Sequence, residues 1–433
     1  MMRGVHHVHS VCRLPGVVLA AILAASGCLA SFAAEAGGER GELRLKDGDV
    51  VALCGDSITS AGAYPLFLEM YGLVCRPEPK VTWLNFGRWG ETARQFPPAM
   101  DASVLPAKPT VATICYGMNN CRSGRVIPEA GARGWADGEI MAVVRKFKEA
   151  GVRVIVLASP GCIDSTHFTL AQSKPPEPGP IEATQKNLAM LRDEARRLAA
   201  AEGLVFADMH APMVEVMSKA KEKYGAGYAF AGGGGDGVHP GRAGHLVMTW
   251  VMLKALGYDG EIGTITVDFG QGGKAAASEG HKVLSAAGGA VEIESSRYPF
   301  CFLPDPNRPK DDKSANATTT VCDLFPFNRD LNRLTLVVKG ARGRLKVTWG
   351  AQSREFEAAA LEKGVNLAAE FVENPFRGQF AKILAAMEER NQCRRWLARE
   401  HKGDAGMQKR LDRALENMKV VPVRHTIKIE PAK

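Results

Sequence analysis

Between residues 42 and 258 the apolar positions alternate between two rhythms. Short apolar runs bounded by charged residues or by Gly, Pro and Asn read as buried strands, and they fall at 50–54, 81–86, 111–116, 152–158 and 204–208. The stretches between them repeat apolar residues at helical spacing; in the clearest, about 182–201, Leu188, Leu191, Ala195 and Leu198 form one stripe. Strands alternating with helices build a parallel sheet covered on both faces. The pattern therefore predicts an α/β fold, a three-layer α/β/α sandwich of flavodoxin-like kind with about five parallel strands. Two segments break the rhythm, the Pro-rich 159–180 and the glycine run within 231–235. At the carboxyl edge of a sheet such segments are candidates for pocket walls or lids, or else surface inserts.

After Gly257 the pattern changes. Residues 264–269, 291–294 and 334–338 alternate or run in strand fashion between Gly and Asn/Asp turns, which predicts a small β-rich module, with 424–429 as a strand that returns to it. Residues 375–418 turn helical and charged, with Phe380, Ile383, Leu384 and Met387 on one stripe. The charged, Pro-bearing segment 304–316 is expected in solvent, and the lone His281 and His425 read as ordinary polar residues. The chain of 433 residues thus divides into a leader (1–34), an α/β domain (42–258) and a β-rich and helical accessory region (262–433).

In the leader, Arg3 and Arg13 precede an apolar run at 17–25 and small residues around Ala33-Ala34, the three-part layout of a secretory signal, too short to span a bilayer comfortably. Export is the expectation, to the periplasm or medium. Ala25-Ser26-Gly27-Cys28 also loosely matches a bacterial lipobox, which leaves lipid anchoring at Cys28 as an alternative. The formal charge of +8 includes Arg3 and Arg13, and no Lys/Arg run is dense enough to track phosphates, so a nucleic-acid partner is disfavoured. Of ten cysteines, Cys12 and Cys28 belong to the leader, and the other eight lack metal-ligand spacing, so no metal or other cofactor is expected. Cys54, Cys115 and Cys162 lie in or just after apolar runs and read as small buried residues, whereas Cys301 and Cys322 are candidates to pair in an oxidising compartment.

The candidate chemistry begins where the first strand stops, at Gly55-Asp56-Ser57. Ligands of parallel α/β sheets bind outside the carboxyl ends of strands, which places the Ser57 hydroxyl where chemistry happens. Asp56 and Ser57 also suit a plain helix N-cap, and on these residues alone both readings stand. Three further stretches follow in order: Asn85-Phe86-Gly87-Arg88-Trp89-Gly90-Glu91-Thr92, Gly117-Met118-Asn119 and Asp236-Gly237-Val238-His239-Pro240. Asp236 and His239 are spaced so that both side chains can share one side of a turn, although a turn with Pro240 opening a helix uses the same residues. Asn119 equally suits an Asx turn after the third strand.

Together the four stretches resemble the sequence blocks of the SGNH (GDSL-like) hydrolases, secreted esterases that include carbohydrate acetylesterases. The resemblance implies a nucleophile at Ser57, a base at His239 oriented by Asp236, and an oxyanion hole made by the N–H groups of Ser57 and Gly90 with the Asn119 side-chain amide. Arg88, Trp89, Tyr116 and Met118 flank these positions and could line a substrate pocket or belong to the core. One departure stands out: the third block usually ends Asn-Asp, and here it is Asn119-Asn120. A Gly-x-Ser-x-Gly elbow and a Gly-x-Gly-x-x-Gly dinucleotide loop are both missing, which disfavours an α/β-hydrolase and a nicotinamide enzyme. The expectation is a secreted serine esterase removing acetyl or another short acyl group from carbohydrate through an acyl-enzyme. Its rivals are a lipase or thioesterase for longer chains, and a carbohydrate-binding or cell-surface protein with a decayed site.

Overall fold

β1 (Val50–Gly55) carries five consecutive buried residues, Val51 to Gly55, because it lies inside a sheet covered on both faces. It pairs in parallel with β2 (Thr82–Asn85) on one side and β3 (Val111–Cys115) on the other. β4 (Val154–Ala158) and β5 (Val205–Ala207) extend the sheet, giving the order β2-β1-β3-β4-β5. The computed structural model describes residues 42–121, 125–168, 178–231, 236–398 and 402–432. The expected leader and Cys28 lie outside the described residues, as do 169–177 of the Pro-rich segment and glycines 232–235.

The chain leaves β1 toward the β2 edge and then returns past β1 to β3. The segments following β1 and β3 therefore diverge, and a crevice opens between them at the carboxyl ends of the strands. The fourth strand starts later than its apolar run suggests. Val152 donates its N–H to Phe147 O while Gly151 adopts φ +75°, so Val152 closes the preceding helix in a left-handed cap and does not open the strand. The helix Pro178–Glu202 buries Leu188, Leu191, Ala195 and Leu198 against the sheet side of the core, as its stripe predicts.

Beyond residue 260 the β-rich character resolves into two sheets. β6 (Glu261–Asp268), β7 (Lys274–Ala277), β10 (Arg333–Lys339) and β13 (Val365–Asn366) form one, in the order β13-β10-β6-β7. The other, β12-β11-β14-β9-β8, is built from β8 (His281–Ala287), β9 (Ala290–Ser295), β11 (Arg344–Trp349), β12 (Gln352–Glu357) and β14 (Val423–Pro431). The far end of the chain does return: β14 pairs antiparallel with both β9 and β11, with Ile427 opposite Val291 and Ile429 opposite Val347. The helices Arg377–Ala398 and Ala405–Asn417 follow the charged pattern, and Phe380, Ile383, Leu384 and Met387 are buried.

Two local expectations need correction. Segment 304–316 is not simply solvated: Asp305 and Ala315 are buried, and the Ala315 carbonyl and Asn316 Oδ1 accept from Ala243 N and Arg242 N. It thereby satisfies first-turn amides of the helix Arg242–Ala255. Cys301 and Cys322 are both free thiols; the single S–H of the first has Pro299 O and Asn374 Oδ1 as acceptors within reach, and the second donates to Thr319 O.

Finally, His281 and His425 are buried links in one directed chain of hydrogen bonds. The Trp349 indole N–H donates to His425 Nδ1 at 3.0 Å, which leaves the His425 proton on Nε2 facing Ser295 Oγ at 2.9 Å. The Ser295 hydroxyl then donates to His281 Nδ1 at 2.8 Å, and His281 Nε2 to the Ile262 carbonyl at 3.2 Å. Burial holds both imidazoles below their ordinary pKa, His425 down to about 4. Unfolded histidines take up protons near pH 6.5 that the folded chain refuses, so this stability is complete above that pH and is lost as the pH falls toward about 4. The urea midpoint of the wild type should fall between about pH 7 and pH 5 more steeply than that of His425→Gln. Parallel slopes would remove His425 from the acid sensitivity.

Candidate active site

The first block is an N-terminal cap and a tight packing position in one. Asp56 accepts from Ile58 N at 2.9 Å and so starts α1 (Ser57–Ala61), which makes Ser57 its first residue. A Cβ on Gly55 would lie 2.1 Å from Thr59 Oγ1 and 2.7 Å from the Cys115 carbonyl, so only glycine lets the helix fold back this closely over the strand ends. The cap reading of the sequence is therefore correct, and it coexists with the placement of Ser57 at the crevice. Burial pushes the Asp56 carboxyl up to about 6, against the Ile58 N–H and the nearby His239.

The fourth block folds into a turn whose carboxylate is fully employed. Asp236 Oδ1 accepts from Val238 N at 2.9 Å and His239 N at 3.0 Å, and Oδ2 meets His239 Nδ1 at 2.5 Å. His239 Nε2 lies 2.8 Å from Ser57 Oγ. Burial works to raise the Asp236 carboxyl, but the His239 and Val238 amides and the imidazole outweigh it and hold it below its ordinary value. Pro240 does not open the following helix, which begins at Arg242. A hydroxyl facing one imidazole nitrogen, with a carboxylate fixing the other, can give up its proton to the ring as the oxygen attacks.

The second and third blocks come together across the crevice. Gly87 abuts α1, where a Cβ would fall 2.3 Å from Ser60 N, and Asn85 donates to Thr59 O at 2.8 Å. Gly90 sits at φ +69° with open space on its Cβ side, a conformation that favours glycine. Asn119 Nδ2 donates to the Glu91 carbonyl at 3.0 Å, which ties the third block to the residue after Gly90. An amide nitrogen carries two protons, so one remains beyond that tie.

Of the expected pocket residues, Arg88 and Trp89 are exposed, and the Trp89 ring stands 5.6 Å from that of His239. Tyr116 and Met118 are instead buried in the core, behind the crevice. The Tyr116 hydroxyl donates to Glu91 Oε2 at 2.9 Å, a bond that burial favours by raising the phenol far above its ordinary pKa.

Several residues at the site carried no recognisable signal. Glu91 joins Tyr116, Arg88 and Asn119, yet nothing in its neighbours' identity announces this. Asp164, fully buried, donates its N–H to Gly237 O at 2.7 Å, and its carboxylate holds Lys221, so the loop after β4 braces the His239 turn. Asn120 donates to Glu139 Oε2 at 3.2 Å. An aspartate there would face Glu139 with like charge, which accounts for the amide in this chain. Among the described residues no group of three or more His, Cys, Asp or Glu side chains is arranged to hold a metal ion, and no helix is long and apolar enough to cross a membrane.

Residues 53–247 match the GDSL-like Lipase/Acylhydrolase family, a span that contains all four blocks. The chain thus carries an SGNH/GDSL-like hydrolase domain. It is a serine ester hydrolase with a β-rich and helical extension after its α/β domain. Among solved structures, a gut microbial diltiazem-metabolizing enzyme is 21% identical, with 90% of this chain and 98% of that one covered at a TM-score of 0.64, a likeness of fold through both regions. An alpha/beta hydrolase enzyme from the metagenome of Lake Arreo, Spain, is 21% identical over 50% of this chain and 98% of its own, with a TM-score of 0.37. The acetylxylan esterase Axe2 from Geobacillus stearothermophilus is also 21% identical, over 50% and 97%, with a TM-score of 0.38. No curated protein sequence matches the chain.

Proposed function

We propose that Ser57 attacks the ester carbonyl, that His239 takes its proton and returns it to the leaving alcohol, and that Asp236 holds the imidazole in the required tautomer. The observation that carries this reading is the unbroken line of hydrogen bonds from Asp236 through His239 to Ser57 Oγ. Attack turns the carbonyl oxygen into an oxyanion that needs donors already in place. Ser57 N–H is a first-turn amide without an intrahelical acceptor, Gly90 N–H lies in the exposed turn opposite, and Asn119 retains a second amide proton. Water then repeats the sequence on the acyl-enzyme with His239 as base, releasing the acid.

The substrate is a short acyl ester, acetyl above all, on carbohydrate. Trp89 is 68% exposed beside His239, and a flat apolar face at solvent level suits the CH-bearing face of a sugar ring more than a long acyl chain, which would need a covered channel. The test is hydrolysis of p-nitrophenyl acetate against the octanoate and of acetylated against deacetylated oligosaccharide. A preference for octanoate would overturn the short-chain reading. Asn119→Ala should lower kcat by about a hundredfold to a thousandfold, the usual effect of losing one oxyanion donor; a change confined to KM would make Asn119 a binding residue.

Export follows from the sequence of the leader. N-terminal sequencing of protein made in a secreting host should find the mature chain starting between Cys28 and Gly37. Recovery of folded protein that still begins at Met1 would refute it.

A further inference from the structure

Among the described residues, no further strand pairs with the outer edge of β2. That edge forms one wall of a groove of about 350 Å³ whose opposite wall is the helix Arg377–Ala398. The floor is apolar, with Trp83 half-buried in it, and the far wall presents Arg390, Arg394 and Arg395. These three are not equivalent. Arg390 is buried and forks onto both oxygens of Glu69, at 2.5 and 2.6 Å, so its charge is answered. Arg394, one turn further along the same face, and Arg395 are exposed and have no acidic partner within ion-pair distance among the described residues. Burial and the Arg390 charge pull the Arg394 guanidinium below its ordinary pKa, and the more distant Glu69 carboxylate offsets this only in part. Counted over the groove, three arginines against Glu69 leave a net charge of about +2.

The near end of the groove adjoins the segments that carry Ser57 and Trp89. Ser60 and Gly87 line its near end. Ser60 lies three residues after Ser57 and so on the same face of α1, and Gly87 precedes Arg88 and Trp89. A chain whose esterified unit meets Ser57 and Trp89 would therefore run along β2 toward Arg394. Guanidinium forks match a pair of oxygens on a carboxylate or a sulfate, and the apolar floor suits sugar rings.

We propose that this groove is a subsite for an anionic sugar, a uronate or a sulfated residue, in the same polysaccharide chain as the ester presented to Ser57. The position of the subsite rests on the esterase reading; its test does not. Calorimetry on the whole protein would compare a galacturonic acid trimer, a sulfated sugar trimer and neutral xylotriose. At low salt at least one acidic trimer should bind about tenfold or more tighter than xylotriose, and the advantage should shrink in about 0.5 M salt. Arg394→Glu with Arg395→Glu should erase the advantage, whereas Arg394→Lys with Arg395→Lys, which keeps the charge but not the fork, should retain part of it. Equal affinity for acidic and neutral trimers overturns the proposal. So does an advantage that survives the two glutamates, or equally tight binding of a polyglutamate peptide. Turnover of p-nitrophenyl acetate by the wild type is read separately: its absence would sink the esterase mechanism and leave the binding result standing.

Discussion

Ser57→Ala should reduce p-nitrophenyl acetate turnover by on the order of 10⁶-fold, the scale seen when a serine hydrolase loses its nucleophile. The loss is chemical. Ser57 is the first residue of α1, the cap of that helix belongs to Asp56, and the strand end depends on Gly55, so none of the local folding contacts uses the hydroxyl. The variant should give an unchanged circular dichroism spectrum and melt, and should fail to trap an acyl-enzyme by mass spectrometry after rapid quenching. Activity within about a hundredfold of wild type would remove Ser57 from the mechanism, because oxyanion donors and binding alone leave far less.

His239→Ala should be as damaging as the serine change, and the Asp236 variants less so. His239 alone faces both Ser57 Oγ and Asp236, so its loss leaves the serine proton without an acceptor. Asp236→Ala should retain measurable turnover, lower by about 10⁴-fold, since the imidazole remains and loses only its orientation. Part of that loss is structural, because Oδ1 also holds the Val238 and His239 amides. Asp236→Asn separates the two effects: its oxygen can keep the turn while its NH₂ opposes Nδ1–H and favours the wrong tautomer. Unimpaired activity in His239→Ala, or complete loss in all three variants alike, contradicts these roles.

The sequence was most legible where structure depends on near neighbours. The apolar run ending at Cys54 marks β1 to within one residue, and the stripe from Leu188 to Leu198 marks the buried face of its helix, because periodicity is set by local geometry. The four blocks were equally visible, since each glycine, cap and turn in them is needed where it stands. What escaped notice joins distant positions. Asn316 capping a helix more than seventy residues earlier, Asp164 bracing Gly237, and Glu91 under Asn119 leave no periodic trace. Tyr116 and Met118 stand near Gly117 and Asn119 in sequence yet turn into the core, a choice that residue type alone left open. The thiols of Cys301 and Cys322 show the same limit: type and compartment suggested a bond that their separate acceptors do not support.

β14 occupies the middle of its sheet, between β9 and β11, although it is made after both. During synthesis β8, β9, β11 and β12 emerge first, and β9 and β11 must wait with open edges until residues up to Pro431 have left the ribosome. The α/β domain has no such debt, for all five of its strands are complete by Ala207. A newborn chain therefore holds a finished hydrolase sheet ahead of an unclosed one, and an interruption of translation near residue 420 would yield two sticky strand edges beside an intact crevice.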